Sequence, residues 1–174
     1  ASAVMAVPTQ DEHFAFLSCG TWTLFGTELK RPIATKEALD MELTNEGGYG
    51  GTTTLLKNIM GLWLIQETRR YYNKHRKDGE PEYSFADLER LAIEAEPFVS
   101  FIDPNDKLFA APEDMPLKIQ EFCRRTGQPV PETVGAVMRC IYQSLACEFA
   151  LTFEKISKLT GHEYSKVHMI GGGT

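Results

Sequence analysis

The amino-acid sequence predicts an α/β domain, and three features carry that reading. Two short β-prone runs split by a glycine-containing pair open the chain, stretches of helical period fill its middle, and an apolar run ending in glycines closes it. The 174 residues suit one domain, and 43% hydrophobic with 24% charged residues provides the material for a core without disulfides or metals.

The opening runs lie at 14–18 and 21–25. The intervening Cys19-Gly20 is a hairpin signal, because a short connection with a glycine matches strand twist. A third strand is expected near 43–45, before the turn-rich Gly47-Gly48-Tyr49-Gly50-Gly51, so the front of the chain reads as an antiparallel meander. From 55 to 74, Leu56, Ile59, Met60, Trp63, Leu64 and Tyr71 recur with helical spacing and predict one helix. Ser84 is the candidate N-cap of a shorter helix carrying Phe85, Leu88, Leu91 and Ala92. Asp103-Pro104-Asn105-Asp106 and Ala111-Pro112 mark a loop, and a helix is expected over 115–125, stopped by Thr126-Gly127. The stripe Val134, Val137, Met138, Ile141, Leu145, Phe149, Phe153 and Ile156 predicts one long helix over 132–159, with Gly161 just past its end. A buried strand over 166–170 follows. There is no repeat, no low-complexity segment and no sign of a second core.

Composition excludes several roles. A formal net charge of -6 argues against a nucleic-acid partner, whose binding rests on basic side chains displacing counterions. No uninterrupted apolar run approaches the roughly 20 residues of a membrane span. Ala1-Ser2-Ala3-Val4-Met5 has no basic stretch before it and is not a secretory leader. Cys19, Cys123, Cys140 and Cys147 show neither CxxC pairing nor a histidine at zinc spacing, so they read as reduced thiols of a cytoplasmic protein. The chain lacks an initial Met and stops at Gly171-Gly172-Gly173-Thr174, directly after a strand that wants a covering helix. It is therefore expected to be a fragment of a longer polypeptide.

Three segments hold candidate chemistry. In Ser18-Cys19-Gly20-Thr21-Trp22, a tight turn beside a hydroxyl can present backbone amides as an anion-binding nest, with the Thr21 hydroxyl added; an ordinary hairpin turn explains the same residues. Asn58 and Gln66 fall eight residues apart on the predicted helix, about 12 Å along its axis, a span that suits the two ends of an extended ligand pair. Exposed polar residues on a helix also need no function. The glycines at 171–173 allow a flat ring to lie against backbone and can lead into a helix N-terminus, or they form a flexible end. No GxxxxGK[ST] occurs, which excludes a P-loop within this chain. His13, His75, His162 and His168 have no carboxylate at a suggestive spacing, and Arg69-Arg70 with Lys74-His75-Arg76-Lys77 reads as the solvated end of a helix.

Taken in order, SCGTW, TNEGG, LKNIMGLWLIQE, FIDPND with Phe109, and MIGGG resemble sugar kinases of the FGGY carbohydrate kinase family. KNIMGLWL and IDPND are most similar to the rhamnulokinases, rather than to glycerol kinases or xylulokinases. Cys19 departs from the pattern, where a second Ser is common. The resemblance implies the C-terminal domain, over 1–174, of a ribonuclease-H-like fold shared with actin-like ATPases, without its N-terminal sugar-binding domain. It also implies MgATP in an interdomain cleft and transfer of the γ-phosphoryl group to the 1-hydroxyl of L-rhamnulose in rhamnose catabolism. By resemblance Gly20 and Thr21 meet the ATP phosphates, Gln66 the nucleotide, Gly172 with Gly171 and Gly173 the adenosine, and Asn58 the sugar. The family's general base, an Asp in a His-Asp-Thr-like motif, falls just before Ala1, so residues 1–174 alone are expected to be inactive and to offer no metal ligand. Cys123 and Cys140 sit on consecutive predicted helices that could pack as a hairpin; a disulfide is possible there, although a cytoplasmic location argues against it. A kinase for another ketose or deoxy-sugar, or a non-catalytic nucleotide-binding regulator, would share most of these features.

Overall fold

In the computed structural model, which describes residues 2–5, 7–9 and 11–173, the opening hairpin forms as the sequence predicts. Strand β1 (Ala15–Cys19) pairs antiparallel with β2 (Trp22–Leu29), from Ala15↔Thr27 to Cys19↔Thr23. The meander continues through β3 (Thr44–Gly47) and β4 (Thr53–Met60), β4 lying between β2 and β3. Strand β5 (Val167–Ile170) adds parallel to β1, giving the order β3-β4-β2-β1-β5.

One expected helix is corrected. Residues 53–60 are a strand, and helix α3 spans Trp63–Lys74, after Gly61. The reason is burial on both faces. Leu55, Leu56, Lys57, Ile59 and Met60 are all buried, so the apolar residues run on instead of alternating, and a continuous run mimics the start of a helical period. Strand β5 is corrected in the other direction: it lies at the sheet edge with Val167 and Met169 exposed, although its apolar sequence suggested a buried strand. Ala1 and Thr174, which bound two of the motifs, lie outside the described residues.

The residues group into two compact units rather than around the one core expected: Ala1–Leu62 with Phe149–Thr174, and Trp63–Glu148. The first unit is built on the sheet. Side chains opposite each other across strands share a face, so Thr23, Phe25, Lys57 and Ile59 point one way and Trp22, Leu24, Asn58 and Met60 the other. On the first face Phe25 meets Phe149 and Phe153, with ring centroids 6.4 and 6.2 Å away. On the second, Val4 and Val7, from α1 (Ser2–Met5) and the chain after it, pack on Phe16 with Phe14, Leu24 and Ile170 alongside. A short helix α2 (Lys36–Asp40), capped by the Thr35 hydroxyl, precedes β3.

The second unit is helical. Helix α4 (Phe85–Glu94) starts at Ser84 in a reciprocal box, the Ser84 hydroxyl accepting from the Asp87 amide while the Asp87 carboxylate accepts from the Ser84 amide. Helix α5 (Met115–Arg125) has its expected bounds. The Trp63 indole N–H donates to the Phe109 carbonyl at 3.1 Å, and Phe109, fully buried, packs on Phe122 at 5.8 Å. The last helix, α6 (Val134–Thr160), has 27 residues, its first part in this unit and its last part in the other. By length and composition alone it could cross a membrane. Its buried stripe of Val137, Met138, Ile141, Leu145 and Ile156 is that of a core helix.

Candidate functional site

The turn between β1 and β2 is held from two sides. The Leu62 amide donates to the Gly20 carbonyl at 3.1 Å, and the Gly173 amide donates to the Cys19 carbonyl at 3.3 Å. Three chain segments therefore meet at one end of the sheet: the turn with Gly20 and Thr21, the exit of β4 at Gly61-Leu62, and the exit of β5 at Gly171-Gly172-Gly173. The sequence singles out the first and the third. Gly61 and Leu62 were missed as members of the site, and the only signal for them is a glycine closing an apolar run.

Close approach explains the glycines. A Cβ at Gly61 would lie 2.0 Å from Thr23 Oγ1. Gly171 has φ +106°, a backbone region that side chains disfavour, and its Cβ would lie 2.5 Å from the Cys19 carbonyl oxygen. A Cβ at Gly173 would come within 2.6 Å of Leu62 Cδ1. Gly172 differs: it is exposed and a Cβ there would meet nothing within 4 Å, so open space faces its backbone. Thr21, at the tip of the turn, is exposed as well. Cys19 beneath it is buried, and burial pushes its thiol pKa up, which makes it an inert packing residue rather than a nucleophile.

Asn58 belongs to this end of the sheet. It is the one exposed position of β4, whose neighbours Lys57 and Ile59 point to the opposite face and are buried. An amide presented to solvent from an interior strand of a sheet is a deliberate placement, since every other residue of that strand is at least partly covered. Asn58 and Gln66 do not share a helix; Asn58 is on β4 and Gln66 on α3, in different units. The helical 12 Å spacing expected between them therefore does not apply.

Gln66 lines a hollow in the second unit with Arg69, Arg70, Asn73 and Lys74. Arg69 donates to the Tyr83 carbonyl at 2.6 Å and lies over the Phe85 ring, 4.8 Å from its centroid. Arg70 pairs with the buried Glu67 at 2.6 Å. The basic run predicted to be the wet end of a helix is thus partly engaged, and Glu82 also lines the hollow beside Gln66.

The turn itself, Ser18 to Trp22, carries no carboxylate. Glu46 is exposed on β3, and Asp103 accepts from the Asn105 amide at 2.9 Å in its own loop. Among the described residues no group of three His, Cys, Asp or Glu side chains converges in the manner of a metal site. A separate hollow of about 630 Å³ opens at the opposite end of the same sheet, lined by Glu12, His13, Lys30, Tyr49 and His162 among others. His13 and His162 stack there at 3.6 Å, and burial, then the His13 charge, lower the His162 pKa. It lies at the start of β1 and the end of β2, away from Thr21.

Cys123 and Cys140 sit on α5 and α6 as expected, and both are buried free thiols. Burial pushes the Cys140 pKa up to about 12 and raises that of Cys123 as well.

Comparison with known proteins follows the same lines. Residues 15–174 match the model of the C-terminal domain of the FGGY family of carbohydrate kinases. The chain is 44% identical over 173 residues to a rhamnulokinase of Bacteroides thetaiotaomicron, covering 99% of this chain and 34% of that protein. It is 42% identical to the rhamnulokinases of Ligilactobacillus salivarius and Bacillus subtilis, again covering 34% of each. The chain thus spans about a third of the length of these relatives. Among solved structures, xylulose kinase from Bifidobacterium adolescentis superimposes with a TM-score of 0.61 at 15% identity, over 99% of this chain and 31% of that one, a likeness of fold.

Proposed function

The chain belongs to the FGGY family of carbohydrate kinases, and from that membership we propose that it is the nucleotide-binding part of a cytoplasmic kinase that carries the γ-phosphoryl group of ATP to the 1-hydroxyl of L-rhamnulose. The observation that carries the proposal is the meeting of the Gly20-Thr21 turn with Gly171-Gly172-Gly173 at one end of the sheet, fastened by the bond from Gly173 to Cys19. Rhamnulokinase relatives at 42–44% identity support the choice of sugar.

The residues fit an adenine nucleotide. Open space over Gly172 admits a flat ring against backbone, and an exposed threonine hydroxyl at a glycine turn suits a phosphate oxygen. In this reading Thr21 and Gly20 hold the phosphates, Gly171 to Gly173 the adenosine and Asn58 the sugar; the role of Gln66 at the nucleotide rests on family resemblance alone. Among the described residues no group of three His, Cys, Asp or Glu side chains converges; Mg²⁺ that arrives with ATP is held mainly by the phosphates, water and one or two carboxylates. Phosphoryl transfer depends chiefly on positioning and on neutralising charge, so clamps of this type are what the chemistry requires of the protein. The family resemblance assigns the general base to an Asp outside residues 1–174.

The test is ADP release by the full-length protein with a panel of ketoses and deoxy-ketoses. The highest kcat/KM is expected for L-rhamnulose. A better sugar in the panel would move the specificity elsewhere within the family, and ATP binding without ADP release for any sugar would make the protein a nucleotide-binding regulator.

A further inference from the structure

Trp22 directly follows Thr21 and leaves 54% of its surface exposed. A single exposed apolar side chain is ordinary on any protein; its neighbours are what distinguish this one. Trp22 stands opposite Met60 in the β2–β4 ladder, and Leu24 stands opposite Asn58. Trp22 and Asn58 are therefore diagonal neighbours on one face of the sheet, about 7–8 Å apart between backbones and within reach of a long aromatic side chain. Further along the same face, Val4, Val7 and Phe16 close over the strands with Leu24 at their margin. That cover stops short of Trp22. An aromatic plate and an exposed amide thus stand side by side, next to the turn assigned to phosphate.

This pairing has a definite chemical complement. A sugar presents an apolar C–H face and a rim of hydroxyls; an indole covers the first while an amide, both donor and acceptor, bonds the second. A charged ligand would call for a cation beside the ring, and none of the residues flanking Trp22 on this face, Leu24, Asn58 and Met60, carries charge. Transfer also requires the acceptor hydroxyl to lie beside the terminal phosphate, which is where a plate one residue past Thr21 would hold it. Resting on the kinase reading above, we propose that Trp22 is a sugar-stacking, specificity-determining residue that works with Asn58.

The test is steady-state kinetics of the full-length protein with Trp22→Ala, Trp22→Leu and Trp22→Phe, varying ketose at saturating ATP and then the reverse. Trp22→Ala should raise the ketose KM roughly tenfold or more while leaving the ATP KM within about twofold. Trp22→Phe should recover most of the loss, and Trp22→Leu, apolar but without a ring, should not. A shift confined to the ATP KM would make Trp22 a nucleotide contact and overturn the proposal. Unchanged kinetics in an active enzyme would overturn it too, leaving a Trp22 that merely packs against the rest of the protein; equal rescue by Leu and Phe would reduce it to bulk. If Trp22→Ala fails to fold, the comparison of Phe with Leu still decides. A wild-type protein that phosphorylates no ketose would remove the kinase reading itself, and Trp22's role with it.

Discussion

The amide of Leu62 and the carbonyl of Gly20, 3.1 Å apart, join the exit of β4 to the turn between β1 and β2. The bond forms because Gly61 lets β4 leave the sheet against Thr23 without a side chain in the way. Gly61→Ala would put a Cβ 2.0 Å from Thr23 Oγ1 and 2.8 Å from Thr23 Cβ. Thr23 is buried and cannot swing into solvent, so the backbone has to yield. The expected cost is about 1–3 kcal/mol of stability, read as a lower Tm. A raised KM for ATP in the full-length enzyme should accompany it. An unchanged Tm would show that the strand exit has slack.

Thr21 tests the turn directly. Thr21→Ala keeps the backbone and removes one hydroxyl from an exposed position. Loss of a charge-assisted hydrogen bond to phosphate should lower kcat/KM for ATP in the full-length enzyme by one to two orders of magnitude, about 1.5–3 kcal/mol. Unaltered ATP kinetics would remove Thr21 from the site.

Much of this was readable in the sequence, for physical reasons that differ by element. The hairpin declared itself through Cys19-Gly20 between two β-prone runs, and α4 to α6 through caps, glycines and unbroken apolar stripes. Strand β4 did not, because it is buried on both faces and its burial erases the alternation that marks a strand. The edge position of β5 was hidden because edge and interior strands can have the same apolar residues; only pairing distinguishes them. At the candidate site, Thr21 and the glycines at 171–173 were put forward through family resemblance more than through any property of their own. Gly61, Leu62 and Trp22 were not singled out, since their significance lies in register and close approach, which a sequence does not display. The adjacency of Cys123 and Cys140 was foreseen from consecutive helices, and the two are thiols in the structure.

The Lys57–Glu42 pair links the sheet to pH. The Lys57 ammonium is buried, with 5% of its side chain exposed, and it meets the Glu42 carboxylate at 2.7 Å. The hydrogen bond and the charge of Lys57 hold the Glu42 pKa below its ordinary value. A depressed carboxylate stabilises the fold above the unfolded-state value, about 4.3 for Glu, and that contribution is lost as pH falls through the folded value. Glu42→Gln should cost up to about 1 kcal/mol at neutral pH, because the Glu42 side chain is 68% exposed and solvent screens the pair. The Tm difference between wild type and variant should shrink as pH is lowered from 6 towards 3. A difference that stays constant over that range would mean that the pair does not titrate with folding.

Asn58 and Gln66 offer the sharpest division of labour. Had both stood on one helix, as the sequence suggested, any substitution risked disturbing both through a shared scaffold. They stand instead on β4 and on α3, in separate units, so the two side chains can be removed independently. Asn58 is the exposed position of its strand, and truncating it empties no core. Asn58→Ala should therefore leave Tm near that of wild type while raising the KM for the ketose. Gln66 lines a hollow with Arg69, Arg70, Lys74 and Glu82. Gln66→Ala should raise the KM for ATP and spare that for the sugar. Because the lost interactions are neutral hydrogen bonds, each effect should be roughly five- to tenfold, close to 1 kcal/mol. If the groups touch different substrates, as proposed, the double variant should show both shifts together, each of its single-variant size. If either single variant raises both KM values equally, the residue acts through the scaffold, and its assignment to one substrate fails.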